Sequence, residues 1–259
     1  MPQQIDRLKD YVQCAQALGS TPKDAFLIFW KETKNIRARL KMEPYRPDKV
    51  YTLQTIYGRF YFRDNFGDIT NLVGLIHLNV YRVGRLEHEG VILDIGANIG
   101  LAAAWFAYHN PGRAIYCFEP LAENTALIRK NCPTAIIEEV AVGLGSGRVT
   151  LLVDRDSVMA SSIPCNWDTH SREFDTVSLD EFARERAIKQ VALMKIDVEG
   201  MELEVLRGGP RTLGLTHRVV METHGRSLHD EAMSLLRSAS FSIQSEQFDS
   251  KTGLVFASH

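Results

Sequence analysis

The chain has 259 residues, 45% of them hydrophobic, and a formal net charge of −2. That is enough apolar material for one large core, and the near-balanced charge excludes the basic footprint of a nucleic-acid binder. No apolar stretch approaches the ~18 residues of a membrane span. The start "MPQQIDRLKDYVQ" has no apolar stretch of the signal-peptide kind. Cys14, Cys117, Cys132 and Cys165 form no close pair that would mark a zinc site or a disulfide framework, and they read as reduced thiols of a cytoplasmic protein.

Ile5, Leu8, Val12, Ala15 and Leu18 recur at helical spacing, and Gly19 ends that helix. Thr21 offers an N-cap, Pro22 fits the first helical position and Asp24 the first turn of a second helix, predicted to run to about Leu40. After Pro44 and Pro47, "VYTLQTIYGRFYFRD" alternates about Gly58 as a β-hairpin. "DITNLVGLIHLNVYRV" then reads as a helix capped by Asp68. From Val91 the rhythm changes. Short apolar runs ("VILDI", "RAIYCFEP", "TAIIEEVAVG", "VALMKID", "HRVVMET") alternate with helical stretches ("IGLAAAWFAYH", "AENTALIRKN", "MELEVLRGG", "SLHDEAMSLLRSA"). "RVTLLVD" and "FDTVSLD" add β material around a polar loop, 157–170, and "FSIQSEQF" with "GLVFASH" makes a closing hairpin. The alternation predicts an α/β fold: a mostly parallel sheet with helices on both faces and one antiparallel edge strand. Residues 1–90 are expected to form a cap of helices and hairpin rather than an independent domain, with 91–259 as the sheet domain. The N-terminal helices are read as a lid or as a homodimer surface.

In such a sheet a ligand lies outside the carboxyl ends of the strands, where strand order reverses. "DIGANIG" falls there. Gly96 permits a tight turn and close approach of a ligand, and Gly100 close packing of the next helix. Asp94 is awkward for a pyrophosphate and suits a ligand with an amine or hydroxyls. Glu119, at the end of the next strand, can accept from both hydroxyls of a ribose, as the acid at that place does in nicotinamide folds. Asn98 occupies the second glycine position of the nicotinamide fingerprint and crowds a pyrophosphate, so the pair points to S-adenosylmethionine rather than to a nicotinamide.

A longer stretch, "LMKIDVEGMELEVLRGG" (193–209), stands with "DIGANIG", "FEP", "AVG" (141–143) and "METH" (221–224) in the order that resembles the FkbM-type methyltransferases. The resemblance covers roughly residues 60–258; Met201 departs from the alanine expected after the glycine. It implies a Rossmann-like class I methyltransferase that uses S-adenosylmethionine and methylates a hydroxyl of a sugar, polyketide or similar small molecule. Residue by residue, it implies that Gly96, Asn98 and Gly100 line the cofactor, Glu119 holds its ribose, Ala141 lies near the adenine, and Asp197 lies near the methyl group and the acceptor.

A hydroxyl acceptor must lose a proton, which needs a base in reach. Three residues at predicted strand ends or loops on the binding edge are candidates: Asp197, His224 and His170. Glu199 and Glu202 are read as first-turn acids of a helix. A divalent metal held by Asp197, Glu222 and His224 is a weaker alternative. The rival functions are a nicotinamide-dependent oxidoreductase and a non-catalytic module that keeps the cofactor pocket.

Overall fold

The computed structural model describes residues 8–34, 37, 45–65, 67–154, 160–162, 169–249 and 251–259. Helices α1 (Leu8–Leu18) and α2 (Pro22–Glu32) are followed by a hairpin of β1 (Arg46–Thr55) and β2 (Gly58–Asp64), then by α3 (Asp68–Ile76). Thr21 caps α2 as predicted, its hydroxyl accepting from the Asp24 amide at 3.2 Å. The helix runs through Glu32; of the predicted continuation to Leu40, residues 35, 36 and 38–40 lie outside the described residues. The helix expected after Asp68 is shorter than its apolar pattern suggests. It ends at Ile76, and Asn79 and Arg82 then take left-handed φ values of 46° and 47° that no helix passes through. Its cap is not Asp68. Gly67 holds the cap position, and Asn65 Oδ1 accepts from the Gly67 and Asp68 amides at 3.0 and 2.8 Å. The Asp68 carboxylate is turned to Arg63 instead, 3.0 Å away.

The main sheet has seven strands. β3 (Val91–Ile95) is the middle one of its five parallel strands, with β4 (Ile115–Phe118) and β5 (Ile136–Glu138) on one side. On the other side come β10 (Val191–Ile196), β11 (Arg218–His224), β13 (Thr252–Ser258) and β12 (Ser242–Phe248). Strands β5, β4, β3, β10 and β11 are parallel, joined by α4 (Leu101–His109), α5 (Ala122–Asn131), α6 (Leu179–Glu185), α7 (Glu202–Arg207) and α8 (Pro210–Leu213). Helix α9 (Arg226–Ser238) comes after β11. Every residue of β10 is buried, as an apolar strand covered on both faces should be.

Two expectations need correction. The single reversed strand is β13, and it lies one place in from the edge, between β12 and β11. Side-chain character explains the order: β13 buries Val255, Phe256 and Ala257, whereas β12 ("SIQSEQF") has no buried position and suits an edge. The expected third strand also splits. It breaks after Glu138, at Glu139 and Val140; the Glu138 and Glu139 carboxylates turn to Arg186 and Arg129 at 2.6 and 2.9 Å. Beyond the break, β6 (Ala141–Val142) joins a second sheet with β9 (Thr169–Val177), β7 (Gly147–Asp154) and β8 (Ala160–Ser161).

One apolar cluster runs without a break from Cys14, Leu18 and Ile28 through Phe60 and Phe62 to Ile92, Phe106 and Ile128. The N-terminal elements thus share their core with one face of the sheet; the other face buries Leu93, Ile196, Val205 and Met233. Cys14, Cys117 and Cys132 are buried and unpaired; Cys165 lies outside the described residues. No helix among the described residues is long and apolar enough to cross a membrane.

Candidate functional site

The carboxyl ends of β3, β4 and β10 meet at the loop after β3. Gly96 has φ +78°, and a Cβ there would overlap the Asp197 carbonyl oxygen, so only glycine lets the ends of β3 and β10 come this close. The Asp197 amide donates to the Ile95 carbonyl at 3.0 Å, and the Gly96 and Ala97 amides both donate to the Phe118 carbonyl at 3.0 Å. Asn98 takes a left-handed φ of 49°. These constraints place its backbone N–H 2.9 Å from Glu119 Oε2.

Glu119 is the buried floor of this arrangement. Its Oε1 also accepts from the Leu121 amide at 3.0 Å and from Asn124 Nδ2 at 3.1 Å. Burial pushes its carboxyl up to about 7, against the pull of those three donors.

Two hollows open on the loop. One is lined by Glu119, Ala141, Val142, Leu151, Ala160 and Met201. The other is lined by Asp68, Asn71, Tyr81, Lys195 and Glu222. Both include Gly96, Asn98, Asp197 and Glu199, so they join as one cleft. The first has an acidic end and apolar walls, which fits a sugar hydroxyl pair with a flat ring beyond it. The second is lined by carboxylates, an amide, a phenol and an ammonium, and suits a group rich in hydroxyls.

Of the residues singled out for cofactor contact, Gly96, Asn98, Glu119 and Ala141 border the cleft. Asp94 and Gly100 do not, and both are corrected. The Asp94 carboxylate is fully buried beneath the loop, 3.1 Å from Lys195 Nζ. Burial pushes it up against that lysine's pull. Gly100 caps α4 with φ +79°, and a Cβ there would stand 3.0 Å from Ile128 Cα of α5. Its small size serves helix packing.

Of the three base candidates, Asp197 faces both hollows. Tyr81 donates to its Oδ2 at 3.4 Å, and Lys195 Nζ lies 3.7 Å away. His224 sits beside the cleft, with Nδ1 2.7 Å from buried Glu202 and Nε2 3.2 Å from Glu199. Burial alone would lower its pKa, but the hydrogen bond to Glu202 and the charges of Glu199 and Asp197 hold it up at about 10. It is a proton holder at neutral pH, not a free base. His170 is corrected: it is exposed on β9, paired with Val153, and borders neither hollow. Most of the polar loop before it lies outside the described residues; Ala160, from its first part, does line the cleft.

The two helix acids are not equivalent. Glu202 begins α7, but Glu199 precedes the helix with a left-handed φ of 51° and lines both hollows. Burial pushes Glu199 and Glu222 each to about 7. Among the described residues, the group whose ligand atoms cluster within 4.8 Å is Asp197, Glu199 and His224, with Glu199 in place of the Glu222 expected from sequence.

Sequence reasoning missed Lys195, Tyr81, Arg63 and Asn124. Lys195 carried a signal, a cation inside the apolar run "VALMKID". Its Nζ donates to the Gly96 carbonyl at 2.6 Å and so joins Asp94, Asp197 and the loop. Tyr81 and Arg63 come from the N-terminal cap, and no local pattern could have assigned them to a site built from distant strand ends.

The methyltransferase FkbM domain family matches residues 94–243. The chain is 28% identical to the 2-O-methyltransferase NoeI of Sinorhizobium fredii, over 61% of this chain and 74% of that one. It is 26% identical to the hexuronic acid methyltransferase AglP of Haloferax volcanii, over 61% and 66%. It is 28% identical to the 31-O-demethyl-FK506 methyltransferase FkbM of Streptomyces tacrolimicus, over 63% and 76%. Among solved structures, Aeropyrum pernix fibrillarin with bound S-adenosyl-L-methionine is similar with a TM-score of 0.46 and 11% identity, covering 83% of this chain and 84% of that one.

Proposed function

Because the chain belongs to the FkbM methyltransferase family, we propose that it transfers a methyl group from S-adenosylmethionine to a hydroxyl of a small molecule: a sugar, a glycan or a polyketide-like natural product. The observation that carries this reading is Glu119, a buried carboxylate fixed by three donors between the β3 loop and an apolar slot. A carboxylate so held accepts from a ribose diol, and the apolar lining of Ala141, Val142 and Met201 beside it suits the face of an adenine ring. The names of two relatives specify an oxygen as the methylated atom, and a third names a hexuronic acid.

The cofactor supplies a methyl group already activated on a sulfonium. What remains for the protein is positioning and removal of the acceptor's proton. Asp197, partly exposed in the cleft and steadied by Tyr81 and Lys195, accepts that proton. Glu222, poised at about 7 in the same hollow, is a second carboxylate able to accept near neutrality. Protonated His224 orients Glu199 and Glu202 around them. A divalent cation on Asp197, Glu199 and His224 would displace the His224 proton on binding, and comparing transfer with and without chelator tests whether the reaction needs one.

The test is transfer of labelled methyl from S-adenosylmethionine to a panel of neutral sugars, uronic acids and polyketide alcohols, with and without chelator. Wild-type protein should label one class, and Asp197→Asn should slow it by about 10²–10⁴. A protein that binds the cofactor yet labels none of the panel would favour the non-catalytic module.

A further inference from the structure

The carboxylate proposed to hold the ribose is itself held, and the chain of contacts leads back to the N-terminal hairpin. Asn124, in the first turn of α5 and 1% exposed, donates through Nδ2 to Glu119 Oε1 at 3.1 Å. The other end of the same amide, Oδ1, accepts from Arg63 Nη1 at 2.9 Å. Arg63 lies near the end of β2, outside the residues 94–243 that the family matches. Its side chain is 6% exposed. Nε and Nη2 reach Asp68 Oδ2 and Oδ1 at 3.0 and 3.1 Å, and Nη2 also lies 3.4 Å from Asn98 Oδ1. One guanidinium thus touches both asparagines that hold Glu119: Asn98 through its backbone N–H and Asn124 through its side chain.

The chemistry of the donor set fixes the direction of this relay. A guanidinium has donors only, so the Asn124 oxygen must face Arg63 and its NH₂ must face Glu119. Without Arg63 the amide can turn, and its oxygen then opposes the carboxylate. Charge balance alone does not explain Arg63, because Asp68 is already met by Nε and Nη2 while Nη1 is given to Asn124. A lysine could neutralise Asp68 but lacks the planar fork needed to reach the asparagines as well.

We infer that Arg63 is a positioning residue for the cofactor-holding carboxylate: through Asn124 and Asn98 it sets how Glu119 faces the cleft, so the N-terminal hairpin contributes to a site otherwise built from the strand ends. This rests on the proposed cofactor.

The experiment needs no acceptor. S-adenosylhomocysteine is titrated calorimetrically, from pH 6 to 9, into the full chain and its variants, with a melting curve for each. Arg63→Lys and Asn124→Ala should each weaken binding about tenfold or more. Both should move the pH at which affinity falls upward, since Glu119 loses a donor that favours its ionised form. The double variant should lose no more than the worse single one, because both act on the same carboxylate. Lys31→Met, which removes a buried cap contact to Asp64 and touches nothing in the cleft, should lower the melting temperature and leave affinity unchanged. Wild-type affinity in Arg63→Lys and Asn124→Ala, additive losses in the double variant, or an equal loss in Lys31→Met would overturn the inference. Asn124→Ala leaves the Arg63–Asp68 pair intact and keeps the test open if Arg63→Lys does not fold. Wild-type protein that fails to bind S-adenosylhomocysteine overturns the cofactor reading itself.

Discussion

At neutral pH His224 keeps its proton between Glu202 and Glu199, and this separates its part from that of Asp197. Asp197→Asn keeps the shape and the Tyr81 contact but cannot take a proton. Turnover should fall by about 10²–10⁴ while the affinity for S-adenosylhomocysteine stays within about threefold of wild type. His224→Ala should behave differently. It leaves Glu202, which is fully buried, without its cation. Removing one partner of a buried pair costs about 3–5 kcal/mol, so urea unfolding should register the loss before any assay of rate does. A His224→Ala protein with wild-type stability would show that the imidazolium is not the counter-charge described here. The affinity for the cofactor product should itself depend on pH. Glu119 holds a diol best when ionised, so affinity should rise as pH increases through about 7, and Glu119→Gln should flatten the curve.

Among the elements, the two loop glycines have different roles. Gly96→Ala pushes a Cβ onto the Asp197 carbonyl and should prevent the ends of β3 and β10 from meeting, giving protein that does not fold. Gly100→Val crowds Ile128 and should lower the melting temperature in step with any loss of cofactor affinity, rather than reduce affinity alone. A stable Gly100→Val protein that cannot bind would return Gly100 to the cofactor site. The strand ends were legible in the sequence because a buried apolar strand stops abruptly where an acid or glycine stands: Asp94, Glu119, Asp197 and Glu222 were all visible that way. Which of them face the cleft was not, because Asp94 and Lys195 bury each other, a pairing between adjacent strands that no spacing reveals. Glu199 looked like a first-turn acid because periodicity cannot tell the turn before α7 from its first turn. The order of the last two strands turned on which of two alternating runs was more apolar, and α3 ended early where Asn79 left helical geometry.

Across the whole molecule, the cleft gathers groups whose protonated forms the fold favours. Glu119, Glu199 and Glu222 have folded-state values near 7 against an ordinary 4.5, so each favours the fold most when protonated. That contribution is full below 4.5 and is lost as pH rises through about 7. His224, raised from 6.5 to about 10, contributes fully below 6.5 and loses it as pH rises through about 10. Both act in one direction, so the melting temperature of ligand-free protein should fall steadily from pH 5.5 to pH 9. The stabilisation given by saturating S-adenosylhomocysteine should grow over the same range, because binding recruits the ionised Glu119. A melting temperature that rises with pH would show that the cleft acids are ionised without cost. The proposed site for an S-adenosyl ligand, built from the β3 loop and Glu119, stands or falls on calorimetric titration of S-adenosylhomocysteine at pH 8 into wild-type protein and Glu119→Ala. One site per chain is expected in the wild type, with a loss of about ten- to a hundredfold in the variant; equal affinity in the two proteins, or no binding by the wild type, would refute it.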